Sequence, residues 1–180
     1  MAAAAGAGAM TQAVVEAAQF RRYADAGELY AIIDACDRAD VPPRAWERGA
    51  RAASLFAGTE DAALWAIAPY LFEADAELLE WIAETRAADA WGVFVVADCG
   101  LEALASHLRE LLLVRSPNGE RMRFRFYDPR VLPGQLESCD ADALRGFFGP
   151  ARAFGVATDD GARLLYSAAR KIRVVAESSP

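Results

Sequence analysis

The chain has 180 residues, 54 % hydrophobic and 25 % charged, with a formal net charge of −7 and a pI near 4.8. That length fits one domain with room for a real core. The acidic balance excludes non-specific nucleic-acid binding, which needs an extended basic surface.

Of the 19 basic residues only Lys171 is a lysine, so arginine is the default cation here and no single arginine is a strong functional signal. Cys36, Cys99 and Cys139 are widely spaced, with no Cys-x-x-Cys pair. They are expected to be reduced thiols in the cytoplasm, with no metal or other cofactor. The single histidine, His107, excludes any site that needs two. No apolar run approaches the ~20 residues of a membrane span. Met1 to Met10 lacks the basic start of a secretory signal, so a soluble, cytoplasmic protein is expected.

In chain order, residues 1–12 are low in complexity and read as disordered, with one or two helical turns over 13–24. Leu29-Tyr30-Ala31-Ile32-Ile33 is a buried first strand ending in Asp34. Pro43 suits the first turn of a helix over 43–51. Ala53 to Phe56 resembles a second strand. Thr59 suits the N-cap of a helix with Glu60 and Asp61 in its first turn. Pro69 to Glu73 is a third strand, and Asp75 caps a helix burying Leu78, Leu79 and Ile82.

Trp91 to Ala97 has no polar alternation, so both of its faces should be covered. Asp98 caps a helix with leucines at 101, 104, 108, 111 and 112. Ser116-Pro117-Asn118-Gly119 is a tight turn. It leads into Arg121-Met122-Arg123-Phe124-Arg125-Phe126, whose alternation predicts a strand with arginines on one face and apolar side chains on the other. Asp128-Pro129 ends it. Asp140 caps a short helix carrying Leu144, Phe147 and Phe148. Residues 153–158 and 162–167 flank Asp160-Gly161 as a hairpin, a candidate sheet edge. Residues 168–177 fit either strand or helix. The pattern gives an α/β fold, a single domain with a mixed β-sheet covered by helices. Its divisions are 1–27, a low-complexity N-terminus with a short helix; 28–152, the main domain; and 153–180, a hairpin and tail packed on it.

No nucleotide loop, zinc spacing or nucleophile elbow is present. Asp34 and Asp128 sit at strand ends, where a carboxylate pair suits metal binding or acid–base work. The plainer reading is that each accepts hydrogen bonds from an arginine or loop amides, as buried carboxylates do. His107 reads as a rim residue, and Arg109 as an ion-pair partner. Cys36 and Cys139 lack an adjacent base to activate them. Trp65, Trp81 and Trp91 read as core. Trp46, between Arg44 and Arg48, is the tryptophan expected to meet a partner. The arginines of 121–125 stand ~7 Å apart. They either pair with acids of this chain or meet a partner through Arg123, Arg125, Tyr127 and Arg130.

One resemblance joins these motifs. Leu29 to Asp34, Ser54-Leu55-Phe56, Ala68-Pro69-Tyr70-Leu71, Trp91-Gly92 and Ser106-His107-Leu108-Arg109 follow one another in order. Arg125-Phe126-Tyr127-Asp128-Pro129-Arg130-Val131-Leu132 and Phe147-Phe148-Gly149-Pro150 complete the series. Over roughly residues 28–152 the chain resembles the effector-adaptor (chaperone) family of bacterial type VI secretion systems, long catalogued as a domain of unknown function. The resemblance implies a non-enzymatic protein that binds a toxic effector and helps load it onto the spike protein VgrG, with no nucleic-acid or membrane partner. The alternative is a small metal- or phosphate-dependent hydrolase using Asp34 and Asp128.

Overall fold

The computed structural model describes residues 10–15, 17–86, 90–115, 118–157 and 163–167. The first half runs β1 (Thr11–Val15), α1 (Ala17–Asp25), β2 (Leu29–Asp34), α2 (Val41–Arg48), β3 (Ala52–Ser54), β4 (Pro69–Glu73), α3 (Ala76–Arg86) and β5 (Gly92–Ala97). The second half runs α4 (Leu101–Leu111), β6 (Leu113–Arg115), β7 (Arg121–Arg123), α5 (Leu132–Ser138), α6 (Ala141–Phe148), β8 (Ala151–Ala157) and β9 (Arg163–Ser167). Short 3-10 segments cover Gly49–Arg51 and Ala62–Ile67.

Seven strands form one sheet in the order β1-β9-β8-β5-β2-β4-β3, and β6 and β7 form a separate ribbon. The α/β class stands as expected, with one refinement: every described pairing is antiparallel. β4 and β5, both antiparallel to β2, run parallel to each other on either side of it, so α3 carries the chain across β2 between them, as α2 carries it across β4 between β2 and β3.

Every residue of β2 and β5 is buried, which requires cover on both sheet faces. Phe94 packs edge-on against Phe20 of α1 at 4.8 Å on one face. Its neighbour Val95 pairs with Phe154 of β8, which meets Phe147 and Phe148 of α6 on the other. Gly92 lets β5 approach β2 closely, since a Cβ there would lie 1.8 Å from the carbonyl oxygen of Ile32.

Several expectations need correction. Thr11–Val15 is an edge strand on β9, not a disordered or helical lead-in, because pairing with a distant strand overrides weak local propensity. The β8–β9 hairpin is therefore no sheet edge; β9 has β1 on its far side. Its turn, Asp160-Gly161, lies outside the described residues, as do 1–9 and 168–180. Thr59 caps no α-helix. Its hydroxyl bonds the Phe56 carbonyl and the Asp61 amide, shaping a turn before the 3-10 segment. Gly100 occupies the N-cap of α4 in place of Asp98. Asp140 caps α6 through the amides of Asp142 and Ala143, and Asp75 accepts from the Leu78 amide before α3.

The alternating stretch is strand only as far as Arg123. The Phe124 amide then donates to the Leu112 carbonyl, and the chain turns inward. Phe126 is fully buried among Phe124, Phe147 and Phe154, whereas Met122 is exposed. One apolar face was expected; the backbone turn divides it.

Candidate functional site

Two surfaces deserve comparison, one built from charge and one from aromatic rings. The first lies at the end of β2. Asp34 is buried, and its Oδ1 accepts from the Cys36 amide at 3.0 Å. Its Oδ2 accepts from Nη2 of Arg125, 91 residues further along. The Arg125 guanidinium also stands 5.8 Å from the ring centre of Tyr127. Asp128, equally buried, is held by Arg130 in a fork: Nε donates to Oδ1 at 2.9 Å and Nη2 to Oδ2 at 2.6 Å. The Arg130 amide adds a third bond to Oδ1 at 2.9 Å.

This geometry follows from the turn. The Asp128 amide donates to the Arg125 carbonyl, and the Asp128 carbonyl receives the amides of Val131 and Leu132 as the chain enters α5. The electrostatics agree. Hydrogen bonding from the Arg130 side chain holds the Asp128 carboxyl below its usual range despite burial. Burial, reinforced by the nearby Asp34 charge, pushes the Tyr127 hydroxyl up to about 12. Charges here are matched within the chain.

The other two arginines of the row behave alike. Arg121 bonds both carboxylate oxygens of Glu60 at 3.0 Å. Arg123 bonds Asp61 at 2.6 Å and lies 5.0 Å from the Phe56 ring centre. The row thus clamps the β6–β7 ribbon onto the loop preceding Ala62–Ile67. Arg109 bonds Glu102 at 2.7 Å and the Ser54 carbonyl at 3.3 Å. His107 is half-buried, with Nε2 2.9 Å from the Phe147 carbonyl. Its ring fills the space beside Gly149, where a Cβ would fall 2.3 Å from Cε1.

The second surface has no such closure. Every residue of Ala62-Ala63-Leu64-Trp65-Ala66-Ile67 is apolar and every one is exposed. Trp65 leans on Trp46 of α2, with ring centres 5.2 Å apart at 45°. Beside the ring pair opens a cavity of about 370 Å³, lined by both tryptophans and by Ala45, Gly49, Ala52, Ser54 and Tyr70. The Tyr70 hydroxyl donates to the Trp65 carbonyl at 2.9 Å and fixes the segment from below. Trp46 is exposed, while Trp65, read from the sequence as core, is exposed too. Pro69, Gly58 and the Thr59 turn keep this run too short for an amphipathic helix, so it has no buried face.

The residues singled out from the sequence therefore separate. Asp34, Arg125, Tyr127, Asp128 and Arg130 gather at the charged corner, with Arg123 on the neighbouring ribbon. Arg109 holds the β3 edge. Trp46 stands at the aromatic surface. Leu64, Trp65 and Ile67 were missed as exposed residues; the available signal was six consecutive apolar residues with no polar partner face. Cys36, Cys99 and Cys139 are free thiols, and burial pushes that of Cys99 up. Among the described residues no cluster of three or more His, Cys, Asp or Glu could hold a metal ion, and no helix is long and apolar enough to cross a membrane.

A family model described as a domain of unknown function (DUF4123) matches residues 29–146. No curated protein and no solved structure matches the chain.

Proposed function

The chain belongs to the DUF4123 family, and from that premise we propose that it is a non-enzymatic adaptor of a type VI secretion system, working in the cytoplasm. On this reading it binds an effector protein and helps load it onto the VgrG spike. The observation that carries the reading is the exposed tryptophan pair with its wholly apolar neighbour, Ala62–Ile67. Contiguous exposed apolar surface rimmed by polar residues marks protein contact, and tryptophan is enriched among the residues that dominate binding energy. The partners named follow from the resemblance of the ordered motifs over residues 28–152 to the effector-adaptor family.

The hydrolase reading meets an obstacle in the charged corner. A carboxylate serving a metal or a proton transfer needs an open lone pair facing the substrate. Asp34 and Asp128 are instead buried and each held by an arginine of the chain, Arg125 and Arg130, with backbone amides adding to the bonding.

The test is co-purification of the tagged protein with the products of its neighbouring genes. Retention of a toxin-like protein or a spike protein is the expected result. If neither is retained, the adaptor reading fails.

A further inference from the structure

The sheet ends at β3, and the outer edge of that strand is only partly closed. Ala53 is matched with Leu71 of β4, and the Leu55 amide donates to the Pro69 carbonyl at 2.9 Å. Bonding groups alternate from one side of a strand to the other. Ala53 and Leu55 therefore bond β4, while Ala52 and Ser54 turn their amides and carbonyls outward. Some of these outward groups are taken. The Ala52 amide donates to the Gly49 carbonyl, and the Ser54 carbonyl accepts the Ala57 amide at 3.2 Å and Nη2 of Arg109 at 3.3 Å. The Ala52 carbonyl and the Ser54 amide have no partner among the described residues.

A free carbonyl and a free amide two residues apart are the groups that an extended chain lying alongside requires. Whichever way it runs, it donates an N–H to Ala52 and offers a carbonyl to Ser54. The closed groups on either side limit the grip to these two bonds, so a side chain must add to the affinity. The seat for it is adjacent. The side chains of Ala52 and Ser54 share a face with Tyr70, and all three line the cavity of about 370 Å³ beside Trp46 and Trp65. Its two hydroxyls are engaged, Tyr70 donating to the Trp65 carbonyl and Ser54 accepting the Phe56 amide, which leaves an apolar lining. Side chains that an added strand turns to this face meet that cavity.

The extent of the edge decides between occupants. Its three residues span ~10 Å. The exposed apolar side chains of α2 and of Ala62–Ile67 add Trp46 and Trp65, 62 % and 48 % exposed, and Leu64 and Ile67, 39 % and 44 %. At ~250 Å² for a whole tryptophan, these four offer roughly 400 Å². A stable pair of folded proteins buries ~800 Å² on each side. The contact is too small for a second copy of this chain and suits a short extended segment.

Resting on the adaptor reading, we propose that β3 receives an extended segment of the partner protein as an eighth strand of the sheet. Its backbone bonds the Ala52 carbonyl and the Ser54 amide, and one large apolar side chain fills the cavity beside Trp46 and Trp65. Arg109 and Gly49 close the neighbouring groups and so confine the added strand to this register.

The experiment titrates the full chain into a fluorescein-labelled heptapeptide of alternating threonine and phenylalanine, an extended chain with one apolar face. Two further copies of the peptide carry N-methyl groups on alternate amides, in complementary sets. An added strand uses the amides of one set only, so one copy should bind like the parent and the other at least ~10-fold more weakly. Ser54→Pro removes the free amide at a position where an edge strand tolerates proline. It should weaken the parent peptide by at least ~10-fold with an unchanged circular-dichroism spectrum. Ala52→Leu, which fills the cavity, should weaken it too. Equal binding by the two methylated copies, no binding by the parent, or full binding by either variant would overturn the proposal. So would a dimer in sedimentation that Ser54→Pro dissolves, since the occupant would then be a second copy. The two readings fail separately. Neighbour-gene products still retained by Ser54→Pro sink this site and spare the adaptor. Peptide binding that depends on one methylation set, without any retained product, does the reverse.

Discussion

The charged corner and the aromatic surface are built from residue types with opposite costs. At the corner, carboxylates are buried, and the chain supplies a guanidinium to each, because a buried charge without a partner is expensive. At the aromatic surface, apolar side chains stand in water with nothing of the described chain over them. The first arrangement completes itself within one molecule. The second stays open to solvent. On the adaptor reading proposed above, the residues that look most chemical serve as scaffold, and the ones that look like misplaced core are the better candidates for function.

The most damaging change should strike the frame that holds the corner. Gly92→Ala places a methyl group against the Ile32 carbonyl, one residue from the Asp34–Trp91 backbone bond. Forcing β2 and β5 apart is expected to cost roughly 3 kcal/mol or more, read as a fall in the urea midpoint. A smaller effect would mean that the sheet can shift there, and that the corner is less rigid than its bonding implies.

Next is Arg125→Ala, which leaves the buried Asp34 without its guanidinium. Because Arg125 is half exposed, the expected loss is about 1–2 kcal/mol. Asp34→Asn in the same background should restore part of it, since the neutral amide needs no counter-charge. If the double variant is no better than the single one, the pair is not coupled as drawn.

Acid should weaken the closed charges in a defined window. Burial alone would raise the Asp75 carboxyl, but Arg48, the Leu78 amide and Arg51 outweigh it and bring it down to about 2. A carboxyl depressed in the folded state lends stability above its unfolded pKa, near 4, and loses it as pH falls through the folded value. Denaturation midpoints should therefore drop between about pH 4 and pH 2. Arg48→Met should flatten that drop, while Trp65→Ala should leave its slope unchanged.

The smallest effect on folding is expected at the aromatic surface. Trp65→Ala removes an exposed ring and one tilted contact with Trp46, so thermal unfolding should shift by no more than about 0.5–1 kcal/mol. Should Trp65→Ala prove more damaging than Arg125→Ala, the contrast between a closed corner and an open surface collapses.

What the sequence makes legible follows the range of the forces involved. Pro69 to Phe72, closed by Glu73, and Gly92–Ala97 are apolar runs, and the caps at Asp75 and Asp140 are local, so these elements are found where the pattern puts them. The pairing of Asp128 with Arg130 is also local, two residues apart. Asp34 with Arg125 is not, and nothing in the chain's order names that partner. The strand Thr11–Val15 depends wholly on β9, which lies at the other end of the described chain. The Arg–Phe alternation misled because periodicity describes side-chain spacing and not where the backbone turns. Trp65 misled because hydrophobicity alone does not distinguish a core residue from one left at the surface.

The antiparallel match of Thr11 with Ser167 has a consequence during synthesis. The first strand made is among the last to find its neighbour, and β5 leaves the ribosome with one hydrogen-bonding edge open until β8 follows. Contacts so distant in sequence close late. At ~5–20 residues per second the nascent chain carries an unpaired apolar strand edge for several seconds. Its most aggregation-prone interval is therefore set by how fast the message is read between residues 97 and 157, and slow codons there should lower soluble yield more than slow codons before residue 92.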